Sequence, residues 1–130
     1  MFTSAKDLIA RKTSIEQRLS EKITVRIDDL GEWCFKVPSA ADIIDAQTYG
    51  KNHSESNAGD TFLVYNQCEE PNLRDQEMQA SFGVSGPEVL FKLLHPGEVD
   101  ELAKVLMKKA GYYGGAVEVI AQAADEVKNA

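Results

Sequence analysis

The sequence predicts an α+β fold, mostly helical, in which an N-terminal β-hairpin packs on several short helices. Three observations carry this. Residues 23–27 and 33–37 alternate apolar and polar side chains around a turn-like Asp28-Asp29-Leu30-Gly31. Later segments repeat apolar residues at spacings of three and four. Proline and glycine cut those segments into short pieces.

Taken in order, Ser4 with Asp7 and Thr13 with Glu16 have the spacing by which a side chain caps a helix start, and Leu8, Ile9, Ile15 and Leu19 supply apolar positions. A short or broken helix therefore opens the chain. In the hairpin, Ile23, Val25 and Ile27 alternate with Thr24 and Arg26, and Trp33, Phe35 and Val37 alternate with Cys34 and Lys36. Two strands alone are marginal in water, so their shared apolar face requires helices to cover it.

Pro38 closes the second strand, and Ser39 with Asp42 starts a helix carrying Ile43, Ile44 and Tyr49, with Gly50 placed to end it. Residues 51–59 contain almost no apolar side chain and read as an exposed loop. Residues 61–68 form an apolar run of ambiguous period. A helix is expected there, because Asp60 can cap it and Phe62, Tyr65 and Cys68 recur at spacing three; a third strand is the alternative.

A further helix is expected within 72–82, with Leu73, Met78 and Phe82 apolar and Gly83 stopping it. Gly86-Pro87 opens a helix with Val89, Leu90, Leu93 and Leu94 on one stripe, and Pro96-Gly97-Glu98 opens the next with Val99, Leu102, Val105 and Leu106. These two helices are expected to pair and bury Leu90, Leu93, Leu102 and Leu106. Gly111, Gly114 and Gly115 then interrupt the pattern around Tyr112 and Tyr113. A last helix is expected from Val117, Ile120, Ala121, Ala124 and Val127, whose thin, alanine-rich stripe suits close approach of another helix. The organisation this implies is a globular domain over residues 1–112 and a C-terminal amphipathic helix over 113–130, which serves as the candidate partner-binding element.

Composition limits what such a domain does. A chain of 130 residues with 43% hydrophobic and 27% charged side chains fits a single folded domain. Met1 to Asp7 has no apolar leader core, and no stretch approaches the roughly 20 apolar residues that span a bilayer, which points to the cytoplasm. In that compartment Cys34 and Cys68 are expected as free thiols. The net charge of −7 repels nucleic acid unless the bases gather on one face. The densest basic group, Lys104, Lys108 and Lys109, instead follows Glu98, Asp100 and Glu101 in one helix, an order that complements the helix dipole on a solvated face.

No residue pattern points to catalysis, a metal or a cofactor. His53 and His95 lie far apart with no paired CxxC or HExxH around them. His95 reads as part of the turn between two helices and His53 as a solvated loop residue. There is no GxSxG elbow beside a base, and the acidic pairs Asp28-Asp29, Glu69-Glu70 and Asp125-Glu126 read as turns and solvated ends. Residues 28–32 lack the alternating oxygen ligands of a calcium loop, and the glycines at 111–115 lack the strand and following Lys-Ser/Thr of a phosphate loop.

From Pro71 to Gly111 the chain resembles the XkdN-like family of bacteriophage tail assembly chaperones. The likeness lies in Pro71, Leu73, Asp75, Glu77 and Gln79, in Phe82-Gly83-Val84, and in Leu93-Leu94-His95-Pro96-Gly97-Glu98 leading to Leu102. His95 departs from the family's usual MLLPGE. The resemblance implies a non-enzymatic helper, made from phage or prophage genes in the cytoplasm of a bacterial host and absent from the mature virion. It would bind the tape measure protein and recruit tail tube subunits, with self-association as a further expectation. It brings no catalytic residue to carry over. The alternative is a small structural tail or head-completion protein retained in the virion.

Overall fold

The computed structural model describes residues 1–55 and 57–121. Two short helices, α1 (Ala5–Ala10) and α2 (Lys12–Leu19), precede any strand, so the hairpin is the first sheet element but does not lie at the N-terminus. The Ser4–Asp7 capping box forms as expected, with Ser4 N–H donating to Asp7 Oδ2 at 3.2 Å and Asp7 N–H to Ser4 Oγ at 3.1 Å. Thr13 caps nothing; the break falls at Arg11, which stands between the helices without a side-chain cap. Neither helix buries a residue.

β1 (Lys22–Ile27) and β2 (Gly31–Lys36) pair antiparallel with Ile23 opposite Phe35 and Val25 opposite Trp33. This register puts the predicted apolar residues on one face. The turn closes with Leu30 N–H donating to the Ile27 carbonyl at 3.0 Å, and Asp29 adopts φ +68°, a left-handed conformation that aspartate tolerates. A short third strand, β3 (Cys68–Glu70), pairs antiparallel with β2 through an irregular register at Cys34 and Phe35, giving the order β1-β2-β3.

Helix α3 (Ala40–Lys51) starts in a second capping box, Ser39 with Asp42. It does not stop at Gly50. That glycine lies inside the helix where α3 crosses the next helix, and a β-carbon there would stand 3.3 Å from the Gly59 Cα. Ile43 is buried, whereas Ile44 faces outward. Helix α4 (Ala58–Gln67) begins earlier than expected, with Asn57 rather than Asp60 preceding its first turn. It runs directly into β3, so the apolar run contains both the helix and the start of the strand.

α4 is the centre of the molecule. It packs on α3 at one side and on α7 (Pro96–Lys109) at another, and Thr61, Leu63, Val64, Tyr65 and Gln67 are all buried. A helix covered on several sides shows no single apolar stripe. Gln67 is satisfied in the core, its Nε2 donating to the Lys36 carbonyl at 3.0 Å and to Asp42 Oδ2 at 3.2 Å.

α5 (Gln76–Phe82) is capped by Asp75, which accepts from Met78 N–H at 2.9 Å, and ends at Gly83 with φ +72°. Gly86–Val89 forms a 3₁₀ turn that leads into the single turn α6 (Leu90–Leu93). The expected pairing of two long helices is thus replaced: α6 is too short to form one side of it, and α7 rests chiefly on α4. The chosen leucines still reach the core. Leu90, Leu102 and Leu106 are buried and Leu93 packs against them half-buried, while on α7 Ala103 joins the buried face and Val105 stays at its margin.

Candidate docking surface

The titratable and polar groups with unusual surroundings serve the fold. Burial, reinforced by the nearby Cys34, pushes the Cys68 thiol up to about 12. It donates to the Pro71 carbonyl at 3.3 Å, and a thiol held protonated in this way is a poor nucleophile. Burial raises Asp42 as well, but hydrogen bonds from Ser39 and Gln67 outweigh it, so the carboxyl titrates below its usual range. Burial and the neighbouring Asp100 raise Asp60. Among the described residues no group of three or more His, Cys, Asp or Glu side chains could hold a metal ion.

His53 is exposed, yet it is not a free loop side chain. Its ring stacks on Tyr49 with centroids 3.7 Å apart and its Nδ1 lies 2.8 Å from the Tyr49 carbonyl oxygen. His95 holds the turn before α7, its backbone N–H donating to Glu98 Oε1 at 2.8 Å.

The described residues form several open grooves. One of about 530 Å³ lies where the end of α2, the β2–α3 connection and the end of α7 meet. Its lining includes the apolar Leu19, Val37, Pro38 and Ile43 and the basic Arg18, Lys108 and Lys109, with Glu21 the single acid. The sequence reading placed Lys108 and Lys109 on a solvated helix face, which they occupy; that they border an apolar groove with Arg18 depends on a contact 90 residues apart and had no local signal. A second groove of about 300 Å³ lies between Tyr49, Thr61, Val84, Pro87 and Phe91.

The first groove opens at Tyr112 and Ala116 onto the expected partner-binding segment. Gly111, Tyr113, Gly114 and Gly115 all have positive φ, so the helical path ends there, and Tyr113 stays beside α7 with the Lys104 ammonium 5.9 Å from its ring centroid. Of the predicted docking residues, Val117, Ile120 and Ala121 are exposed and lie in backbone without regular secondary structure. The described part of the expected C-terminal helix is therefore not helical, and Ala124 and Val127 lie outside the described residues.

Fold and surface define a small α+β domain whose grooves are lined by both apolar and charged side chains. The chain belongs to the phage XkdN-like tail assembly chaperone family, whose model matches residues 11–128. A solved crystal structure, that of the protein YqbN, is similar in fold with a TM-score of 0.56 and 16% identity, covering 72% of this chain and 87% of that one. Comparison with curated proteins gives no match.

Proposed function

We propose that this tail assembly chaperone binds the tape measure protein and recruits tail tube subunits to it, acting without catalysis in the bacterial cytoplasm and leaving before the virion is complete. Among the described residues no helix is long and apolar enough to cross a membrane. The observation that carries the reading is the groove beside the end of α7. On a chain of net charge −7, it gathers Arg18, Lys108 and Lys109 with apolar lining residues, which suits a helix with an apolar stripe and acidic flanks. Val117, Ile120 and Ala121 follow Ala116 of its lining in the chain, and together with Ala124 and Val127 further along the sequence they supply a second contact for the same partner.

Co-expression with the phage's tape measure and tube proteins tests this. The full chain captures the tape measure protein, and a chain ending at residue 113 or carrying Lys108→Glu with Lys109→Glu captures less while melting as the parent does. A full-length chain that captures neither protein overturns the reading. Mass spectrometry of purified virions containing the protein would overturn its departure before completion and favour the retained structural component.

A further inference from the structure

The second groove is assembled from segments far apart in the chain. Tyr49 comes from the end of α3, Glu55 from the α3–α4 connection and Thr61 from α4, while Val84, Glu88 and Phe91 come from the stretch around the 3₁₀ turn and α6. Two aromatic rings line it. The Tyr49 ring is held in place by stacking on His53, with centroids 3.7 Å apart, and on Phe62 at 4.6 Å. Phe91 is 43% exposed although its neighbour Leu90 is fully buried, so much of its ring is open to a ligand.

Two carboxylates join these rings. Glu55 and Glu88 are both exposed, and among the described residues neither forms an ion pair. Both reach the same phenol: burial first, then Glu55 and Glu88, raise the Tyr49 pKa above its ordinary value. Lys92 is the one cation of the lining, four residues past Glu88 and not bridged to it. The apolar lining suits the aliphatic stem of a long side chain, and unpaired carboxylates beside an open ring suit a planar cation at its tip. Arginine combines the two, because its guanidinium bonds carboxylates through a fixed fork and also stacks on aromatic rings.

We propose that this groove is a docking site for a partner polypeptide that seats an arginine side chain between Glu55, Glu88 and Phe91. Charge complementarity selects the occupant. The site goes beyond the proposed function: it is separate from the basic groove beside the end of α7 and of opposite preference, so the domain takes an acidic segment at one surface and a basic one at the other.

A short blocked peptide with one arginine between two leucines tests this without any tail protein, which keeps the outcome separate from the chaperone reading. Titrated into the isotope-labelled full-length chain in about 0.15 M salt, it shifts the amide resonances of Ala58, Thr61, Val84 and Phe91. The same peptide with glutamine in place of arginine binds about tenfold more weakly. Glu55→Gln with Glu88→Gln weakens the arginine peptide by about the same factor, Phe91→Ala also weakens it, and Lys92→Gln, which removes the competing cation, tightens it. These side chains are exposed, so the variants melt as the parent does. Lys108→Gln with Lys109→Gln, in the other groove, leaves the affinity unchanged. Absence of any shift at about 5 mM arginine peptide overturns the proposal, as do shifts gathered elsewhere, equal affinity for the glutamine peptide, or undiminished binding by the chain that lacks both carboxylates.

Discussion

Gly50 of α3 and Gly59 of α4 face each other where the two helices cross. A β-carbon added to Gly50 would lie 3.3 Å from the Gly59 Cα, and one added to Gly59 would lie 3.1 Å from the Ala46 carbonyl oxygen. Both contacts are with backbone, which yields only if the helices separate. Gly59→Ala should therefore destabilise the protein by about 1–3 kcal/mol, the usual range for overpacking. For Gly50→Ala the gain in helix propensity, about 1 kcal/mol, offsets much of the crowding. Urea melts of both variants check this; a Gly59→Ala protein more stable than the parent would show that the crossing is looser than described.

Leu106 is 1% and Leu90 0% exposed, both within the main core, whereas Leu93 is only partly buried. Leu90→Ala and Leu106→Ala should each lose about 2–5 kcal/mol, and Leu93→Ala less. A loss below about 0.5 kcal/mol for Leu106→Ala, typical of surface positions, would place α7 on the wrong face.

The two thiols differ in access. Cys34 is half-buried and Cys68 buried, and neither is bridged. Without prior reduction, a thiol reagent should modify Cys34 first in the native protein, and both should react once the chain is unfolded. Absence of titratable thiol after denaturation would contradict this. The pH effect has a definite sign. Because the folded Cys68 holds its proton up to about 12 against an ordinary value of 9.0, its contribution is complete below pH 9 and lost as the pH rises toward 12. Cys68→Ala should flatten the alkaline part of the stability profile.

Ser39 and Asp42 cap α3 reciprocally, and Gln67 adds a second hydrogen bond to the Asp42 carboxylate. Ser39→Ala should cost about 0.5–2 kcal/mol at neutral pH. Asp42 has a lowered pKa in the fold, so the unfolded chain binds more protons in acid; the contribution is present above the ordinary value of 3.8 and disappears as the pH falls through the folded one. Melting curves at falling pH should converge for parent and variant. A constant gap down to strong acid would disprove the coupling.

Local physical chemistry made much of this molecule legible from residues alone. Ser4 and Ser39 with their acidic partners marked two helix starts, the alternation around Asp28–Gly31 gave the hairpin and its apolar face, Gly83 marked the end of α5, and Pro96 the start of α7. The family was legible as well, because its motifs are contiguous. What the sequence left open concerns contacts between distant segments. Gly50 reads as a helix stop until Gly59 is set against it, and residues 61–68 have no clear period because α4 is covered on several sides and then becomes a strand. The apolar positions of α1 and α2 gave no sign of what would cover them, and in the fold Leu8, Ile9 and Leu19 are exposed and Ile15 half-buried. The groove that gathers Arg18, Val37 and Lys108 likewise exists only after folding. Capping, turns and periodicity act over a few residues and are written into the chain order, whereas which apolar stripe becomes core and which remains a docking surface depends on the packing of all the helices together.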